Sequence, residues 1–195
     1  QAAVYMRRDY GMSYLSGIAA YGYNGYSMER TISFTSIDRT ASSNYGGNVY
    51  SAYVEAGRNL VGNVALWQPF AALEYIGVQQ NAFTEEGADS VDLDVNAQNA
   101  NAFRGLLGVR WFCTRQTNAG HQLQFNASAA WRHEFLGESN VVDASFTGMS
   151  GSAFAVSGVS IDRDVAILGP GVNLILSRQC SIYANYDLLF SDNYT

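Results

Sequence analysis

At 195 residues the chain holds material for one large domain, and an all-β domain of this size need not divide. Charged residues make up 14% against roughly 25% in ordinary soluble domains, aromatic residues reach 13%, and the net charge of -6 lacks the basic face that nucleic acid demands. Mean hydropathy is -0.07 and no run approaches the roughly 18 consecutive apolar residues of a membrane-spanning helix, so any membrane contact falls to strands.

Alternation of apolar and polar side chains with a period of two predicts about eight strands. The first lies near residues 1–8 and turns at "DYG"; the second, near 12–32, carries "YLSGIAAYGYNGY". A polar stretch, "FTSIDRTASSNYGG", separates it from a third strand near 47–56. The turn "GRNLVGN" then returns the chain to the fourth, "ALWQPFAALEYIGVQQ". An acidic excursion, "FTEEGADSVDLDVNAQN", whose apolar alternation fits strands projecting beyond the sheet, precedes the fifth, "AFRGLLGVRWFC", which turns through "TRQTNAG" into the sixth, "HQLQFNASAAWRHEF". A long Gly/Ser-rich segment, "GESNVVDASFTGMSGSAFAVSG", leads to the seventh, "DVAILGPGVNLIL", and a tight "SRQC" turn to the eighth, "SIYANYDLLF".

Short turns follow the odd-numbered strands and long connections follow the even-numbered ones. An antiparallel up-and-down meander of this kind gathers all short turns at one end, which is the layout of a transmembrane β-barrel rather than of a Greek-key sandwich. Several strands also reach the 9 to 11 residues that a tilted strand needs to cross hydrocarbon. The six strand charges Glu74, Arg104, Arg110, Arg132, Glu134 and Asp187 all fall on the less apolar side and are expected to face a polar lumen. Leu73, Tyr75, Phe125, Tyr186 and Phe190 are expected to face lipid, with Trp67, Trp111, Trp131 and Phe135 near strand ends as girdle residues. Two roles stand open for the lumen charges: a cross-strand network that hydrates and stiffens the interior, or a cradle for a segment inside it.

No residue set reads as catalytic. His133 alternates onto the apolar face beside Trp131, as an interfacial residue would, and His121 lies in a turn. Ser150 and Ser152 of "GMSGS" lack the Gly-x-Ser-x-Gly spacing of a nucleophile elbow. "DLDVN" imitates the opening of a calcium loop, but Ala97 stands where that loop needs glycine and Phe103 where it needs the bidentate glutamate. Cys113 and Cys180 both fall at the short-turn end about three strands apart, too far for a disulfide. Gly169 and Gly171 around Pro170 mark a bend or a ring-packing spot.

Read together, "YLSGIAAYGYNGYSMER", "LWQPFAALEY", "FRGLLGVRW", "WRHEF", "ASFTG" with "FAVSG", "DRDVAILGPGVNL" and "SIYANYDLLFSDNYT" resemble, in order and spacing, the C-terminal translocator of bacterial autotransporters, the type V secretion proteins. The resemblance implies an outer-membrane barrel of about twelve strands that anchors an N-terminal passenger and helps export it, with no cofactor. Its partners would be outer-membrane lipid, the passenger with its linker helix, and the barrel-assembly machinery. Mapped on that plan, residues 1–195 are similar to strands four to eleven, a fragment without the first strands, the linker helix and the last strand. Gln1 follows no charged and apolar leader, as expected of a processed or excised piece. A stand-alone porin-like barrel and a soluble β-sandwich binding domain are the alternatives.

Overall fold

The computed structural model describes residues 1–34, 37–136, 141–149, 151–158, 162–177 and 179–191. Strand β1 (Ala2–Tyr10) turns at Gly11, whose φ of 63° is open to glycine and strained for other residues, into β2 (Ser13–Phe34). β2 pairs with β3 (Ile37–Arg58) along its whole length, from Ser13↔Arg58 to Phe34↔Ile37. A short β4 (Leu60–Val61) leads into β5 (Leu66–Gln80). The long connection that follows holds β6 (Phe83–Thr84), a turn of 3-10 helix at Asp89–Val91 and β7 (Leu93–Val95). Next come β8 (Gln98–Gln116) and β9 (Gln122–Glu134), then β10 (Val141–Phe146) and β11 (Phe154–Ser157), then β12 (Asp164–Ile175), β13 (Ser181–Asn185) and β14 (Leu188–Phe190).

The main sheet is an antiparallel meander in the order β1-β2-β3-β5-β8-β9-β12-β13, with β4 against β5 and β14 against β12. It curls into a half-barrel. The curl shows in side chains that meet across it: Arg110 of β8 donates to the Tyr14 hydroxyl of β2 at 3.3 Å, although two strands stand between them. The face carrying that bond is the concave one.

Three boundaries differ from the sequence reading. β3 begins at Ile37, ten residues early, because "IDRTASSNYGG" continues the ladder instead of looping. The alternation in the acidic connection does belong to strands, and the Gly/Ser-rich connection joins them in a second sheet in the order β11-β10-β7-β6. The eighth strand is split at Tyr186 and Asp187, where Tyr186 N–H still reaches Pro170 O at 3.0 Å but proline has no N–H to return. Its register does not slip, since Gly171↔Asn185 and Leu168↔Leu188 keep the same offset.

A globular monomer of this mass would expose roughly 9,000 Å². The chain exposes 13096 Å², and among the described residues no large side chain is fully buried. Much of the missing burial is on the convex face, where Val54, Leu73, Leu107, Trp131 and Leu168 stand exposed.

Candidate functional site

Cross-strand partners share a face, so the register sorts every strand charge. Gln68↔Arg110↔Ser128 and Glu74↔Arg104↔Glu134 are concave rows. The concave charges form two separate groups rather than one. In the group nearer the short turns, Arg110 grips the Glu55 carboxylate with both terminal nitrogens, at 2.7 and 2.6 Å, and donates to Gln68 Oε1 at 3.1 Å. Tyr14 donates to Glu55 at 2.6 Å and Tyr53 donates to its other oxygen. The guanidinium lies 3.9 Å over the Phe70 ring, and Arg7 lies 4.2 Å over Tyr14. Six residues along β8, about 20 Å at strand rise, Arg104 bridges Glu134 at 2.9 Å and Glu74 at 3.2 Å. Glu134 also accepts the backbone N–H of Phe103 and of Leu136.

Of the six expected polar residues, Glu74, Arg104 and Glu134 come together, and Arg110 sits in the other group. Arg132 and Asp187 also occupy concave positions, yet among the described residues neither makes an ion pair. The Asp187 carboxylate lies over Gly169, where an added Cβ would meet it at 2.7 Å, so Gly169 leaves room for polar groups and not for a ring. Ring-over-glycine packing occurs elsewhere, with Tyr14 over Gly57 and Phe70 over Gly108. Sequence reasoning missed Glu55, Tyr14 and Tyr53. The signal was present, since Ser51, Tyr53 and Glu55 alternate with Ala52, Val54 and Ala56.

On the convex face Trp67 and Trp111 meet edge-on at 6.5 Å near the short turns. Toward the other end Tyr21, Tyr50 and Tyr75 donate their hydroxyls to Asn48, Gln79 and Asn101 at 2.8, 3.3 and 2.9 Å. Trp131, His133 and Phe135 continue this row, with Asp164 accepting from the Trp131 indole at 2.9 Å and lying 2.8 Å from His133 Nδ1. Between the rows the convex positions are Pro69, Ala71 and Leu73 on β5, Leu107 and Val109 on β8, and Phe125, Ala127 and Ala129 on β9. Eight residues from Trp67 to Tyr75 span about 27 Å of strand, or about 20 Å of height at a tilt near 40°. Tyr186 and Phe190 are exposed and take convex positions opposite β12.

Beyond the tyrosine row the long connections knot onto the β2–β3 hairpin. Tyr45 stacks on Phe83 at 4.2 Å, Arg39 donates to Ala88 O at 2.7 Å, and Ser42 bridges to Glu86. Glu85, buried, receives Arg30 and the Leu93 N–H. Burial opposes its charge, but the Arg30 and Leu93 hydrogen bonds outweigh that and hold its carboxyl below the ordinary value. Asp92 of "DLDVN" accepts the Ala88 N–H and ends a turn, while Leu93–Val95 is strand. Ser152 donates to backbone carbonyls in its own loop; Ser150 and the final residues 192–195 lie outside the described residues. His121 sits 3.1 Å from Leu176 O, and both cysteines are free thiols. Among the described residues no cluster of three or more His, Cys, Asp or Glu is placed to hold a metal ion.

A family model described as "Autotransporter beta-domain" matches residues 1–187. Two curated relatives, both described as "Extracellular serine protease" from Serratia marcescens, are 21% and 22% identical over 191 residues. That alignment covers 98% of this chain and 18% of each relative, so the chain spans under a fifth of their length.

Proposed function

This chain belongs to the autotransporter β-domain family, and from that premise we propose that its concave face lines a hydrated lumen while its convex face, between the two aromatic rows, contacts lipid. The domain is an outer-membrane translocator that serves passenger export. The observation that carries the division of faces is a single one: Glu55, Glu74, Arg104, Arg110 and Glu134 are ion-paired on the concave side, while the convex face between Trp67 and Tyr75 is apolar. A membrane solvent resolves the exposed convex surface, and interfacial tyrosines with Asn or Gln partners mark where lipid gives way to water.

Residues 1–195 form one barrel unit, completed by further strands that pair along the outer edges of β1 and of β13 with β14, because an open edge cannot sit in hydrocarbon. The passenger lies N-terminal to this unit, and a surface this apolar reaches the membrane with the help of assembly machinery. The paired groups at Arg110 and Arg104 stiffen the wall. Arg132 and Asp187, unpaired on either side of β12, face whatever segment occupies the lumen. No bond-making chemistry is assigned to these residues; the protease activity named for the Serratia proteins belongs to the description of those proteins.

Surface protease shaving of intact Gram-negative cells tests the reading. The full precursor displays the segment upstream of residue 1 outside the cell, and an in-frame deletion of residues 1–195 leaves it in the periplasm. Undiminished display without these residues overturns the proposal.

A further inference from the structure

Charges on the convex face are sorted by end. At the short-turn end Arg8 of β1, Arg58 of β3 and Arg115 of β8 take convex register positions, opposite Leu15, Ser13 and Leu123. All three are exposed, and among the described residues none has a carboxylate partner; Arg8 lies 5.1 Å over the exposed Tyr10 ring. The acids of that end, Asp9 and Glu55, are committed to Arg7 and Arg110 on the concave face. The long-loop end is acidic instead, with Glu29, Asp38 and Asp164 exposed on strands of the main sheet and Glu86, Asp89, Asp94 and Asp143 exposed on the connections, against one exposed arginine among the described residues, Arg163.

We propose that Arg8, Arg58 and Arg115 form a collar that binds the phosphate groups of anionic phospholipids in the leaflet at the short-turn end. Arg115 lies four residues beyond Trp111, about 14 Å further along the strand, where the aromatic girdle gives way to headgroups. Its apolar stem runs along the lipid-facing side while the guanidinium reaches water. The collar extends from β1 to β8, four strand steps or about 19 Å, so it engages several headgroups instead of gripping one ligand. The planar guanidinium offers phosphate two parallel hydrogen bonds, and the chain, which contains no lysine, uses arginine throughout. A soluble acidic protein would have to approach from the membrane side of the sheet, which favours lipid as the partner.

The collar rests on the membrane-barrel reading, and the test separates the two. The full chain with its flanking strands is inserted into phosphatidylcholine vesicles doped with brominated phosphatidylglycerol or brominated phosphatidylcholine, and tryptophan quenching reports which lipid is enriched around the barrel. The wild type shows a several-fold preference for phosphatidylglycerol that weakens in high salt. The combined variant Arg8→Gln, Arg58→Gln, Arg115→Gln inserts but falls to parity, and the corresponding Lys variant keeps the preference. Equal quenching by both lipids in the inserted wild type, or a preference that survives in the Gln variant, overturns the collar. Failure to insert into either vesicle overturns the membrane reading together with it.

Discussion

At the scale of single residues the concave face is held by acids that have several donors each. Glu55 takes two bonds from Arg110 and one each from Tyr14 and Tyr53, so its loss strands three donors while the loss of one tyrosine strands none that matter. Glu55→Ala is expected to destabilise the inserted barrel by roughly 1–3 kcal/mol, the cost of leaving charged and polar groups unpaired, while Tyr53→Phe costs about 1 kcal/mol or less. Urea unfolding in detergent micelles measures both, and a cycle with Arg110→Gln shows strong coupling to Glu55 and little to Glu134, which lies in the other group. How legible this was depended on hydropathy contrast. Arg104 and Arg110 stand out because they interrupt an apolar run, whereas Glu55 has only the weaker contrast of Ser51, Tyr53 and Glu55 with Ala52, Val54 and Ala56, and the pairing Ala72↔Glu55 is what brings it opposite β5. Arg132 and Glu134 look like an ion pair two residues apart on one strand face, but Glu134 is already saturated by Arg104 and two backbone amides.

At the scale of elements, strands inside the membrane belt were readable and strands beyond it were not. β5, β8, β9 and β12 carry apolar side chains on the convex face and mostly polar ones on the concave face, which writes the period-two pattern into their sequences. Residues 37–46 pair as regularly as any, yet neither face of that part of the hairpin is an apolar belt, so "IDRTASSNYGG" carries no alternation. The same reason hid β10 and β11, whose partners are other long connections. What holds this outer assembly is specific and therefore sensitive. Glu85 is buried against Arg30, and its carboxyl is held below the ordinary value of 4.5, so the stability it contributes is complete above that value and is lost as pH falls through the lowered one. Hydrogen exchange of residues 83–95, corrected for intrinsic rates, is expected to stay slow at neutral pH and to accelerate only once the pH is taken below the usual glutamate range. Glu85→Gln should raise exchange at neutral pH and flatten that dependence, while Arg30, charged throughout, adds no window of its own.

At the scale of the whole molecule the decisive quantity is the surface left uncovered. The excess over a globular chain of the same mass, about 4,000 Å², includes two kinds of surface that water does not suit: the apolar convex face and the two sheet edges. On the proposed reading lipid covers the first but not the second, because hydrocarbon offers no partner for the free N–H and C=O groups along β1 and along β13 with β14. Nine residues of β1 are exposed along their full length, with Val4 at 75% and Tyr5 at 82%. Pairing to additional strands satisfies both demands at once, since it closes the ladder and sets Tyr5 and Arg7 inside a lumen instead of in open solvent. Residues 1–195 expressed alone are therefore expected to associate through their edges and to show no heat-modifiable band on a gel. The same residues joined to their flanking strands are expected to run as a compact, heat-modifiable monomer in detergent. A stable, monodisperse, heat-modifiable species from residues 1–195 alone would mean that the two edges close on each other, and the twelve-strand plan would give way to a smaller barrel.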